Sequence, residues 1–204
     1  MTSTANKSES AVGRETKCRS LSARFRAMGR LTMLIALAVV ILMPVRAAAQ
    51  ELNEYEVKAA FLYNFAKFVE WPSNESADPN SPMIIGILGR DPFGGEIDRA
   101  IEGKSVNGHR LTIKRFSTLQ AYDHCHILFV SSSEKGNLAR ILATVANHSV
   151  LTVSETDRFA HIGGIINFIT IENRVRFEIN QDAAGRAGLK ISSKLLSLAR
   201  AVRS

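Results

Sequence analysis

The run Met83-Ile84-Ile85-Gly86-Ile87-Leu88 contains no polar side chain, and Cys125-His126-Ile127-Leu128-Phe129-Val130 comes close to the same pattern. Such runs do not alternate between a core and water. They fit strands buried on both faces, as in sheets layered between helices.

The segments around them supply the helices. Residues 51–71 read as a first helix, ended by Pro72, and a Ser/Asn/Pro/Asp-rich loop follows over 73–82. Asp91-Pro92 suggests a helix N-terminus, with Asp as cap and Pro at the first helical position, for a short helix reaching Glu102. Ser131-Ser132-Ser133-Glu134 suggests a capping box opening a helix to Ala146. Asn107-Gly108 is a two-residue hairpin turn between Lys104–Val106 and His109–Phe116. Val150–Val153 reads as a short strand, and Glu172-Asn173 turns Ile165–Ile171 into Arg174–Asn180. The C-terminus, Gln181 to about Val202, reads as helical with a break near Gly188. The expected fold is a three-layer α/β domain with a mixed β-sheet flanked by helices.

The net charge of +7 is misleading as a guide to partners. Of 26 Lys and Arg and 19 Asp and Glu, the first 49 residues hold eight and two, and the rest hold 18 and 17. The basic character therefore belongs to the leader, and a near-neutral domain gives no compositional reason to expect nucleic acid. The leader joins a basic start to an apolar run, Leu31–Met43, then Pro44 and Ala47-Ala48-Ala49. A spanning helix needs about 20 apolar residues, and this run has 13. The expectation is a cleaved secretory signal peptide over 1–49, a mature domain over 50–204 and a periplasmic location. Met28 is an alternative start. Cys18 would leave with the leader, so Cys125 would be the sole thiol, either packed in the core or paired between molecules.

No motif points to catalysis. Gly86-x-x-Gly89 with Gly94-Gly95 is neither a dinucleotide fingerprint nor a phosphate loop. Ser131–Ser133 lack a nucleophile elbow. His124 and His126 would share a strand face, but no second cluster completes a zinc site. No catalytic residue, metal or cofactor is expected.

Two features suggest a binding surface. The first helix is apolar over much of its circumference, and Phe68 and Trp71 near its end could anchor a partner or second protomer; the alternative is burial within the monomer. Along 174–180, Val175, Phe177 and Ile179 alternate with Arg174, Arg176, Glu178 and Asn180. The polar set is either a solvated face, a groove for a small anion or a charged rim, and two arginines could clamp a carboxylate.

Tyr55–Pro72, Ile85–Gly94, Cys125–Ser131, Val150–Ser154, Gly163–Phe168, Arg174–Asn180 and Gly188–Leu196 together resemble, in order, the YfiR-like family of periplasmic proteins. The resemblance implies an α/β regulator without enzymatic activity. It implies action on the periplasmic part of an inner-membrane diguanylate cyclase, lowering cyclic di-GMP and biofilm formation. It also implies a homodimer and an outer-membrane lipoprotein that can sequester the regulator. Some members carry oxidisable cysteine pairs; with Cys125 alone, this chain departs from them. The alternative reading is a periplasmic small-ligand sensor with a site near Arg174/Arg176 and the strand-end loops.

Overall fold

The computed structural model describes residues 54–72, 81–146 and 148–203. The expected signal peptide, the helix start at Glu51 and most of the loop 73–82 lie outside the described residues. Five α-helices are described: α1 (54–68), α2 (Glu96–Ile101), α3 (Leu138–Val145), α4 (Gln181–Arg186) and α5 (Ser193–Leu198). The strands are β1 (Val69–Glu70), β2 (Met83–Leu88), β3 (Ser105–Val106), β4 (His109–Phe116) and β5 (Ile127–Val130). They continue with β6 (Leu151–Ser154), β7 (Ile166–Ile171), β8 (Arg174–Asn180), β9 (Lys190–Ile191) and β10 (Ala201–Arg203).

Among the described residues the main sheet runs β10-β8-β7-β6-β5-β2-β4-β3. Its centre is parallel from β7 across to β4. The β7–β8 and β3–β4 pairs are antiparallel, and β10 lies parallel to β8 at the edge. The sheet is mixed, and the fold is α/β.

The apolar runs explain the layering. Alternate residues Ile85, Ile87, Ile127 and Phe129 join a core with α1, α2, α4 and α5. The intervening Leu88, Leu128 and Val130 join a second core with α3. Each strand thus feeds two hydrophobic layers, and each fully buried large side chain contributes roughly 1.5–3 kcal/mol. In α1 the buried stripe is Lys58, Ala59, Leu62, Phe65, Ala66 and, just beyond, Val69. That is the one-sided spacing of a helix lying on a sheet. Its flank is aromatic: Phe61 and Phe65 pack on Phe177 at centroid distances of 5.3 and 5.2 Å.

Several local expectations are corrected. The first helix stops at residue 68, not Trp71, because β1 peels away to pair antiparallel with β9. Asp91 does not cap a helix. Its carboxylate accepts from Phe93 N at 2.7 Å in a turn, and α2 begins only at Glu96. The intervening residues carry Phe93 into the core, edge-on to Phe129 at 4.7 Å.

Half of the expected capping box forms. Ser131 Oγ accepts from Ser133 N, while Glu134 accepts from Asn137 rather than reaching back. A 3-10 segment, Ser132–Asn137, precedes α3. The C-terminus is not one broken helix. Gly188, at φ 71°, turns the chain into β9, and β10 replaces the expected final helical turn. Both predicted two-residue turns hold, with Asn107, Gly108, Glu172 and Asn173 all at positive φ.

Candidate functional site

The five sequence-predicted contact residues divide between two faces. Phe68 and Trp71 lie where α1 gives way to β1. Phe68 is half-buried against the core, with Lys194 Nζ 5.0 Å from its ring centroid. Trp71, also half-buried, is held inward: its Nε1–H donates to the carbonyl of His126 at 3.3 Å, just before β5. The indole N–H is therefore already engaged within the fold.

Arg174, Arg176 and Glu178 lie together on the opposite side of the sheet. Their β8 neighbours Phe177 and Ile179 belong to the core on the α1 side. The ladder sets Ile171, Ile169 and Asn167 of β7 across from Arg174, Arg176 and Glu178. Both arginines are exposed and Glu178 is half-buried. Ile171, 38% exposed, places an apolar group directly across from Arg174. Asn180 departs from the wet row: it is buried, caps α4 through Ala183 N and donates to Ala160 O at 2.7 Å.

A third location is the strand-end loops that the ligand-sensor alternative named. The strand order reverses between β2 and β5, where parallel sheets tend to hold ligands at the carboxyl ends. That crevice is filled by the protein itself. Arg90 N donates to Ser133 Oγ at 2.9 Å, and a Cβ on Gly89 would meet that oxygen at 2.5 Å. Arg115 braces the same loop by donating to Asp98 and Asp91, and these hydrogen bonds raise its pKa further above the usual arginine value.

One strand further along, beyond the end of β6, a cavity of about 600 Å³ opens between Tyr55, Lys58, Ser132, Glu155 and Thr170. Lys58 is 4% exposed, and its ammonium lies 2.6 Å from both Glu54 and Glu155. Tyr55 OH donates to the other oxygen of Glu155 at 3.1 Å. The cluster clasps the start of α1 to the sheet. Its sequence signal was a lysine within the stripe of positions 58, 62, 65 and 69. The partner Glu155 stands 97 residues away.

Cys125 is fully buried, and burial pushes its thiol up to about 12. It is a core group, as the packed alternative expected. His126 is buried too, with Nδ1 accepting from Ile84 N at 3.1 Å. Its ring thereby joins the β2–β5 seam.

A family model described as YfiR/HmsC-like matches residues 55–200, from the first turn of α1 to the residue before β10. The chain is also similar to a solved conserved domain protein from Vibrio cholerae O1 biovar El Tor str. N16961, at 10% identity and a TM-score of 0.47. That likeness covers 59% of this chain and 55% of the other, so the chain spans about half of that protein's length.

Proposed function

The chain belongs to the YfiR/HmsC-like family, and from that premise we propose that it is an exported periplasmic regulator, not a catalyst. It binds the periplasmic part of an inner-membrane diguanylate cyclase and lowers cytoplasmic cyclic di-GMP. The leader over 1–49 delivers the domain 50–204 to that compartment and is removed. Repression works by differential affinity: the domain binds the cyclase's inactive state more tightly and shifts its population. Because regulator and product lie on opposite sides of the membrane, the cyclase itself carries the change across. Self-association into a homodimer and sequestration by an outer-membrane lipoprotein belong to the same reading.

The family match over residues 55–200 supports this assignment most directly. The test is cellular cyclic di-GMP after deletion of the gene. A rise reversed by the exported protein, but not by a leaderless form, is the expected result. An unchanged level with export verified removes the cyclase from the assignment.

A second reading, a small-ligand sensor, is favoured by the cavity beside Lys58 and Glu155. Polar side chains converge there on an open depression at the strand ends, where a small polar ligand could seat.

A further inference from the structure

Three lysines form a row with two aromatic rings across the α1 side of the domain. Lys104 Nζ lies 4.5 Å from the centroid of Tyr63. Lys67 Nζ lies 5.5 Å from Tyr63 and 5.8 Å from Phe68. Lys194 completes the row, 5.0 Å from Phe68. The order Lys104–Tyr63–Lys67–Phe68–Lys194 is continuous and draws on the segment after α2, on α1 and on α5. All three lysines are exposed and both rings are half-buried.

The charges are unbalanced locally. Among the described residues, none of these lysines has a carboxylate within ion-pair distance. The adjoining β1–β9 ladder sets Glu70 opposite Lys190, so it adds no net charge to the row. Residues 50–204 carry 18 basic and 17 acidic side chains in all, so three exposed lysines in a row stand out against a near-neutral domain; Glu102, beside Lys104, is the acid nearest to them in sequence on the α2 side.

We propose that this row is the docking face for an acidic segment of a protein partner, an inference that rests on the partner-binding reading. Ammonium groups held over aromatic rings can take carboxylates from the partner, while the half-buried rings supply an apolar floor. Aromatic anchors within a rim of complementary charge are the arrangement that concentrates binding energy and steers encounter. A lipid surface fits less well. The rings are half-buried and crossed by lysines, so they are not free to enter hydrocarbon. Three lysines alone give only about 3 kcal/mol of attraction to an anionic leaflet.

The test uses protein purified from its host in the form the cell accumulates, titrated into fluorescein-labelled decaglutamate. Saturable binding that weakens with salt is expected. The Lys67→Glu/Lys194→Glu variant, with an unchanged thermal midpoint, should bind at least about tenfold more weakly. The Arg174→Glu/Arg176→Glu variant, altered on the other face of the sheet, should stay within about twofold.

Equal loss in both variants, or loss in neither, overturns the proposal. So does wild-type protein that ignores decaglutamate yet binds phosphatidylglycerol vesicles, the signature of a membrane surface. In cells, the lysine variant should fail to restore a low cyclic di-GMP level that the wild type restores. If the peptide result holds while wild-type protein leaves cyclic di-GMP unchanged, the docking face stands and the cyclase assignment falls.

Discussion

β5 and β8 occupy the same sheet under opposite conditions. All four residues of β5 are buried, because helices cover both sides of it. β8 buries Phe177 and Ile179 on the α1 side and leaves Arg174 and Arg176 exposed on the other. A strand sealed on both faces has nothing to offer a partner, and changes in it report on stability. A strand with one wet face can change there at little cost to the fold. The centre of this molecule is scaffold, and a face proposed for recognition has to lie at its periphery.

Substitutions can break or sharpen that contrast. The largest effect belongs to the sealed centre: Phe129→Ala removes a ring packed on Phe93 and should cost about 4 kcal/mol. Calorimetry should show the midpoint falling by about 10 °C. A loss below about 1 kcal/mol would mean that β5 is not the closed core described. Lys58→Ala comes next. It leaves Glu155, whose side chain is 12% exposed, without its cation, and should cost about 3 kcal/mol by urea titration.

Cys125 is smaller and pH-dependent. Its thiol ionises near the ordinary value in the unfolded chain but at about 12 when folded. The unfolded state therefore loses the proton first, and stability should fall by about 1.4 kcal/mol per pH unit from about pH 9 upward until the folded thiol also ionises. Cys125→Ala should remove that part of the alkaline slope, and the native thiol should resist disulfide reagents at pH 8. The smallest effect lies on the wet face. Arg174→Glu/Arg176→Glu should shift stability by no more than about 0.5 kcal/mol, and a larger change would show that this face is covered in solution.

Legibility in the sequence followed the range of the forces involved. The strands at 83–88, 127–130 and 166–180 were readable because burial on one or both faces is written into adjacent residues. The Asn107-Gly108 and Glu172-Asn173 turns were readable because they need positive φ locally. β1, β9 and β10 were not readable. They are two or three residues long, and pairing with distant segments creates them, as when Arg200 N bonds Phe177 O at 2.8 Å ahead of β10.

The candidate sites divide in the same way. Phe68, Trp71 and the arginines could be named from local pattern. Their separation onto two faces could not, because it depends on the β7–β8 register and the placement of α1. Lys58 stood out locally within its apolar stripe, but Glu155 completes its clasp, and Lys104 and Lys194 complete the lysine–aromatic row, from distant stretches of chain that local pattern could not join to them.

The aromatic contacts of α1 bear on how the chain is made. Phe61 and Phe65 find their partners in Phe168 and Phe177, more than 100 residues later. The ribosome emits this helix first and the hairpin that covers it near the end. Throughout synthesis the oily flank has no permanent cover, and native closure must await the final quarter of the polypeptide. A ribosome stalled before Arg174 would release a product with a greasy, unshielded start, a substrate for holding chaperones and proteases rather than a shorter working protein.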